Sequence, residues 1–250
     1  MSDVRNNYSS CGDPTQGGDP RERGVSLRRG LSFKNKVTGE VINTDTHQVR
    51  VSRMRRRVRA WADTWGHIYD PNKHRLVMVT LTYRDNDGWR PNHIREFLLR
   101  YRRAIRKGLL AYAWVAELQR RGAVHYHILM VVERGARVPL PDRYWLHGLT
   151  RIETARSVWY IAKYASKGGD GDHPYPSGLR MFAVWVSAAV PDALRYNLRL
   201  SVLPSWLRDV VASVGQGWPV RWPGGGWLYA GQIYRSPYIV VLGAIIVAIN

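Results

Sequence analysis

The fold is decided by residues 110–133, LAYAWVAELQRRGAVHYHILMVVE. Residues 110–119 and 124–133 are apolar and partly aromatic runs of the kind that form strands. Between them lies Arg120-Arg121-Gly122-Ala123, a short connection whose glycine suits a β-hairpin. We therefore predict two antiparallel strands that pair with each other.

Further elements surround this hairpin. Residues 75–83 are β-branched and apolar, which predicts a central strand. Apolar residues recur at spacings of three and four over residues 54–68 and 94–105 and predict two amphipathic helices, and a third helix is expected at about 155–167. The order αβαββα indicates an α+β fold, in which an antiparallel or mixed sheet is flanked by helices.

Composition divides the chain into three regions. Residues 1–45 are rich in glycine, serine, asparagine and proline without a sustained period, so we expect a disordered basic tail. Residues 46–190 hold the predicted sheet with its helices, including a further strand at 181–190. Residues 191–250 form a tryptophan-rich and apolar region with one expected helix at 203–214, and the sequence assigns this region no role.

The apolar run YIVVLGAIIVAI, residues 238–249, contains no charged residue. A helix that spans a membrane needs about 20 apolar residues, which is more than this run offers. Its richness in isoleucine and valine therefore predicts a buried strand or core helix. Contact with a membrane remains an alternative.

The charge of the chain points to a polyanionic partner. There are 38 Lys and Arg against 19 Asp and Glu, a net charge of +19, and most of this excess lies in the first two-thirds of the chain. Nucleic acid is the expected partner. Arginines on the first two predicted helices are candidates for contacts with the DNA backbone, with a solvated helix face as the alternative: Arg53, Arg56, Arg57, Arg102, Arg103 and Arg106.

Several classes of protein are excluded or disfavoured. The chain has 45% hydrophobic residues, 14 Tyr and 11 Trp, which excludes wholesale disorder. Cys11 is the only cysteine, so no disulfide framework or cysteine zinc site is available. The first residues lack the apolar run of a signal peptide. No P-loop motif is present, which argues against a motor domain of that type.

Two histidines of the second hairpin strand predict a metal site. Because side chains alternate along a strand, His125 and His127 share one face, about 6 to 7 Å apart. The short turn folds Glu117 back beside them. Two imidazoles and one carboxylate with open positions suit Mg²⁺ or Mn²⁺ on a phosphate. The alternative is a histidine pair on a solvated strand with a surface carboxylate.

The third predicted helix carries YIAKYASK, residues 160–167. Tyr160 and Tyr164 lie four residues apart and so on one face, with Lys163 and Lys167 as a second such pair beside them. A tyrosine can act as a covalent nucleophile, and cations would help its phenoxide to attack phosphorus. An amphipathic helix with aromatic anchors is the alternative.

In combination these residues resemble a known superfamily. Val79-Thr80-Leu81-Thr82-Tyr83, then Glu117 with His125-Tyr126-His127, then the doubled Y-x-x-K resemble the three motifs of HUH endonucleases. More narrowly, the chain is similar to rolling-circle replication initiators of small single-stranded DNA phages and plasmids, of the two-tyrosine class. The tyrosines follow the histidines, whereas in plasmid relaxases they precede them. The resemblance covers about residues 75–170.

The resemblance implies a central sheet of about five antiparallel strands, similar to an RNA-recognition motif. It also implies a site-specific nicking and joining reaction on single-stranded origin DNA. A tyrosine, aided by Lys163 or Lys167, would attack the DNA, retain the 5′ phosphate and release a 3′ hydroxyl that primes replication. His125, His127 and Glu117 would hold the divalent ion. Residues 46–190 would then be the nickase domain, in the cytoplasm of a prokaryotic host that supplies a separate helicase.

Two other functions remain open. The same sheet and basic helices suit a non-catalytic protein that binds single-stranded nucleic acid. A nickase of transposition or plasmid mobilisation would use the same chemistry, although the motif order favours a replication initiator.

Overall fold

The computed structural model describes residues 27–167, 175–215, 217–221, 223, 226–241 and 245–247. The helices are α1 (Thr46–Ile68), α2 (His93–Ile105), α3 (Tyr160–Lys167), α4 (Asp192–Leu200) and α5 (Ser205–Val214). The strands are β1 (Leu27–Asn35), β2 (Val41–Asp45), β3 (His74–Tyr83), β4 (Leu109–Leu118), β5 (Val124–Glu133), β6 (Gly148–Thr154), β7 (Phe182–Val186), β8 (Val220–Arg221), β9 (Trp227–Tyr229), β10 (Gln232–Tyr234), β11 (Tyr238–Val241) and β12 (Ile245–Val247).

A five-stranded antiparallel sheet forms the centre of the protein. Its strand order is β6-β3-β5-β4-β7, and helices flank it. The predicted α+β class with about five antiparallel strands is therefore confirmed. The strand β6 is missing from the predicted order because GLTRIET mixes charged and apolar residues on an edge strand and offers no apolar run.

The predicted hairpin is present as β4 and β5. Its turn is closed by a hydrogen bond from the Gln119 N–H to the Ala123 carbonyl oxygen, and a second bond runs from the Gly122 N–H to the Gln119 oxygen. Gly122 has φ of 87°, a left-handed conformation that costs a glycine little. This turn sets the register that places Glu117 opposite His125.

Helices cover both faces of the sheet. On one face, α1 packs its stripe of Met54, Val58, Trp61 and Trp65 against the sheet and against α3. On the other face, α2 packs Phe97, Leu98 and Tyr101 against the alternate side chains of the same strands. Two separate hydrophobic cores result, and the predicted metal and tyrosine residues belong to the face with α1 and α3.

The two ends of the described chain pair with each other. Strand β1 pairs with β2 and also with β11 and β12 near the C-terminus. Residues 27–45, for which the sequence predicts an irregular tail, are thus mostly strand. The local pattern does not show this because two partners of β1 lie near the other end of the sequence. The rest of the predicted tail, residues 1–26, lies outside the described residues.

The apolar run at 238–249 contributes strands rather than a helix. β11 and β12 both pair with β1, as the prediction of a strand requires for the described residues of this run. Among all described residues, none of the helices is both long and apolar enough to cross a bilayer.

A small third cluster lies beyond the sheet. Leu203, Leu207, Val211 and Tyr229 are buried together, between α5 and the short sheet β10-β9-β8. The helix α4, which the sequence did not predict, precedes this cluster and packs on α1. The predicted helix at 203–214 is present as α5.

Candidate active site

The strand register brings the predicted ligands together. His125 lies opposite Glu117 of β4 and opposite Thr82 of β3, and His127 lies two positions further along β5. The rings of the two histidines are 4.5 Å apart, centroid to centroid, in an edge-to-face arrangement. His127 Nε2 lies 3.0 Å from Glu117 Oε2. The three side chains thus form one cluster at the turn end of the hairpin.

Threonines of β3 hold the inner nitrogens of both histidines. Thr82 Oγ1 lies 2.7 Å from His125 Nδ1, and Thr80 Oγ1 lies 3.4 Å from His127 Nδ1. If Nδ1 of His125 carries the proton, the threonine hydroxyl accepts the hydrogen bond and Nε2 keeps its lone pair. Hydrogen bonds of this kind fix the ring orientation and tautomer of histidines that bind metals.

Burial keeps His125 neutral. Loss of solvent lowers the pKa of His125 to about 4, and the neighbouring His127 lowers it further, while Glu117 acts in the opposite direction. A neutral imidazole is the form that binds a metal ion.

The cluster matches a divalent ion in its donor atoms. Two imidazole nitrogens and one carboxylate are a donor set that divalent metals accept. Within the described ranges, however, no three His, Cys, Asp or Glu side chains already converge as a metal cluster. His127 and Glu117 contact each other directly instead. An ion would replace the hydrogen between these two groups, so the residues fit by chemistry and need a side-chain adjustment to bind.

Helix α3 presents the two tyrosines to this cluster. Ile161 and Ala165, on one side of the helix, are buried against α1. Arg55 of α1 donates from Nη2 to the Ser166 carbonyl oxygen at 2.6 Å, which fixes the C-terminal turn. With that side fixed, Tyr160 and Tyr164 face the histidines rather than the core.

Tyr164 is the nearer of the two tyrosines. Its ring stacks on the His127 ring, with centroids 3.5 Å apart and an interplanar angle of 19°. Its hydroxyl donates to the Tyr160 hydroxyl at 3.3 Å. Tyr160 is 36% exposed and its ring stands edge-on to that of Tyr164. Burial, followed by the adjacent Tyr160, raises the pKa of Tyr164, so its phenoxide needs a nearby positive charge to form.

The two lysines of α3 differ in what the structure describes. The Lys163 side chain is exposed, and its Nζ lies 6.0 Å from the centroid of the Tyr160 ring. Lys167 is the last residue of α3, and its side chain lies outside the described residues. Lys163 is thus a cation beside the outer tyrosine.

The six arginines predicted for DNA contacts fall into two groups by location. Arg53, Arg56 and Arg57 lie on α1, and two of them bind backbone: Arg56 Nε donates to the Ser201 oxygen at 3.1 Å, and Arg57 Nη1 donates to the Leu198 oxygen. Arg102, Arg103 and Arg106 lie at the C-terminal end of α2, where β4 begins. That position is at the opposite end of the sheet from Glu117.

Four residues of the site environment are absent from the sequence-based prediction. Thr80 and Thr82 lie beneath the histidines, and their signal is the Thr-x-Thr spacing at the end of β3, whose meaning depends on pairing with β5. Gln119 Nε2 lies 3.4 Å from His125 Nδ1. Arg121 donates from Nε to Gln119 Oε1 and from Nη1 to the Arg84 oxygen, which ties the hairpin turn to the end of β3.

Comparison with known proteins gives one match. Residues 76–169 match the family model described as replication-associated protein ORF2. The matched segment runs from β3 through α3 and so contains all the residues of the cluster and both tyrosines. No curated protein and no solved structure gives a significant match to the chain. Over the matched segment the chain is similar to replication-associated proteins, which is consistent with a rolling-circle initiator.

Proposed function

We propose that this protein initiates replication by nicking single-stranded origin DNA through a tyrosine. The observation that carries the proposal is the stacking of Tyr164 on His127, whose Nε2 contacts Glu117. A nucleophile, two imidazoles and a carboxylate are gathered at one end of the sheet by three separate elements. The match to a replication-associated family supports the biological setting.

The proposed reaction is a transfer of a phosphodiester to tyrosine. The phenolic oxygen, having lost its proton, forms a bond to phosphorus while the bond from phosphorus to the 3′ oxygen breaks. The 3′ oxygen takes up a proton and leaves as a hydroxyl, and the 5′ phosphate remains on the tyrosine. Reversal of the same step with another 3′ hydroxyl rejoins the strand, which would complete a round of replication.

His125, His127 and Glu117 would hold Mg²⁺ or Mn²⁺ in this reaction. When bound, the ion supplies Lewis-acid polarisation of the scissile phosphate and favours the phenoxide. Thr80 and Thr82 keep the imidazole rings in place, and Lys163 adds positive charge beside Tyr160. Each of these groups lies within the segment that matches the family.

We assign the first attack to Tyr164 and the second to Tyr160. Tyr164 lies against the histidines, whereas Tyr160 is joined to it through the hydroxyl–hydroxyl contact and is more exposed. Two nucleophiles on one helix face allow a second cleavage while the first remains loaded. Strand separation would come from a separate helicase of the host.

The test is a covalent-adduct assay with the full chain. Labelled single-stranded DNA that covers the replicon of the protein is incubated with Mn²⁺ or with EDTA and resolved on a denaturing gel. The expected result is an adduct that requires the ion and is lost in the Tyr160→Phe, Tyr164→Phe double variant. Tight binding without an adduct across the whole replicon would contradict the nickase and leave a binding protein.

A further inference from the structure

A cluster of cations lies at the end of the sheet opposite the candidate active site. Two adjoining cavities, of about 800 Å³ and 440 Å³, open at the C-terminal turn of α2. No Asp or Glu is among the residues that line either cavity. The cations that line them are Arg102, Arg103, Arg106, Lys107, Arg137 and Arg143, which we call the arginine pocket.

The positive charge of the arginine pocket is not neutralised by the surrounding protein. Arg103, Arg106, Arg137 and Arg143 are exposed, and within the described ranges no side-chain hydrogen bond or ion pair is formed by their guanidinium groups. Cations of the last turn of a helix interact favourably with its C-terminus. That effect does not account for Arg137 and Arg143, which come from the segment between β5 and β6.

The segment that carries Arg137 and Arg143 is anchored to the rest of the fold. Tyr101 donates its hydroxyl proton to the Pro139 oxygen at 2.6 Å, and Arg75 Nη2 donates to the Ala136 oxygen at 2.8 Å. Gly108 permits this approach, since a Cβ there would lie 2.4 Å from the Ala136 Cβ. The arginines are therefore presented by a fixed backbone, which reduces the entropy lost when an anion binds.

Arg106 has a backbone conformation that side chains rarely adopt. Its φ is 63° and its ψ is −139°, between the end of α2 and the start of β4. Glycine would occupy this conformation with less strain. A strained residue that retains a charged side chain suggests a function for that side chain.

We propose that the arginine pocket binds the phosphodiester backbone of a second DNA segment, away from the strand that is cleaved. Its ligand chemistry is phosphate, and guanidinium groups without protein partners are suited to it. Leu109 lines one cavity and Glu117 lies eight residues further along β4, which corresponds to about 27 Å. That distance equals about eight base pairs of duplex, so one DNA molecule bound at the active site reaches the pocket only by extending past it.

This inference rests on the proposed function in taking DNA as the ligand, and its test reads binding without requiring cleavage. Affinity for a labelled single strand and for a labelled duplex is measured with the full chain over a range of salt concentrations. The Arg137→Gln, Arg143→Gln double variant is compared with Arg95→Gln, Arg235→Gln, which removes two exposed arginines elsewhere.

The expected result is a selective loss in the pocket variant. Each phosphate contact that is lost lowers the slope of log affinity against log salt by about 0.7 to 0.9, so the slope should fall by about 1 to 2. The control variant should change it less, and adduct formation on saturating origin DNA should be unchanged in both. Equal slopes in the two double variants would overturn the proposal. So would displacement of DNA from the wild type, but not from the pocket variant, by ATP or pyrophosphate, which would identify a nucleotide site.

A second variant separates binding from folding. Arg106→Gly removes a charge and relieves the backbone strain, so we expect a denaturation midpoint at or above that of the wild type together with a lower salt slope. A lower midpoint with an unchanged slope would show that Arg106 is structural and would count against the pocket. If no adduct forms with any DNA, the nickase proposal fails, while the salt comparison still decides the fate of the pocket.

Discussion

The ring of Tyr164 lies flat on the ring of His127, 3.5 Å away between centroids and 19° from parallel. The contact joins α3 to β5, two elements that are distant in sequence, and it directs the Tyr164 hydroxyl toward Tyr160. A stacked ring loses much of its freedom to rotate, so the hydroxyl position is set before substrate arrives. Preorganisation of this kind lowers the entropy cost of reaction.

The two tyrosines should differ in single-residue variants. Phenylalanine keeps the ring, so Tyr164→Phe preserves the stacking on His127 and removes only the nucleophile. We expect it to abolish the first adduct, with a loss of at least about 100-fold in rate. Tyr160→Phe should retain the first adduct and lose rejoining by the second cleavage. Both are read on denaturing gels, and a first adduct that survives in Tyr164→Phe but not in Tyr160→Phe would reverse the assignment.

Thr82 should determine metal affinity through His125. Thr82→Val keeps the branched shape and removes the oxygen that lies 2.7 Å from His125 Nδ1. Loss of such a partner weakens metal binding by about 10- to 100-fold. The measurement is the Mn²⁺ concentration that half-saturates adduct formation. Thr150→Val on β6 is the control, because Thr150 pairs with Leu81 and so points to the opposite face. Equal effects of both variants would remove Thr82 from the metal site.

The elements that the sequence predicts best are those with local signals. β5 is present with the predicted limits, Val124–Glu133, because two apolar runs and a glycine turn specify a hairpin without help from the rest of the chain. β1 lacks such a signal, since Gly30 and Ser32 interrupt its apolar pattern and its partners are remote. Pairing energy supplied by distant strands determines it, and no local window contains that information.

The candidate site follows the same division. The positions of His125, His127 and Glu117 can be predicted because one short turn determines their register. The contacts of Thr82 cannot, because they depend on how β3 pairs with β5 across the intervening α2. Likewise, the spacing of Tyr160 and Tyr164 predicts a shared face, and only the packing of Ile161 against α1 determines that this face is turned to the histidines.

Gly148 should be sensitive to the addition of a single methyl group. A Cβ at this position would lie 2.2 Å from the Thr82 oxygen and 2.5 Å from the Arg84 nitrogen, both backbone atoms that cannot move aside easily. Gly148→Ala should therefore push β6 away from β3 and lower the free energy of unfolding by about 1 to 3 kcal/mol. Gly135→Ala, which meets nothing within 4 Å, is the control in thermal denaturation. Equal midpoints for the two variants would contradict the close approach.

Arg53 and Arg57 should separate a DNA contact from a structural one. Arg57 Nη1 donates to the Ser201 hydroxyl at 2.8 Å and to the Leu198 oxygen, and so joins α1 to the end of α4. Arg57→Gln should lower the free energy of unfolding by about 1 to 3 kcal/mol, since its hydrogen bonds involve a charged donor. The salt dependence of DNA binding should then stay close to that of the wild type.

The opposite outcome is expected at Arg53, which is exposed one turn earlier on the same helix. Arg53→Gln should leave the melting temperature unchanged and lower the salt slope by up to about 0.9 if the side chain meets one phosphate. Thermal denaturation and DNA binding over a salt series measure both quantities on the same samples. A stable Arg57→Gln variant with a reduced slope would place Arg57 on the DNA, and its bonds to the end of α4 would then have to break when DNA binds.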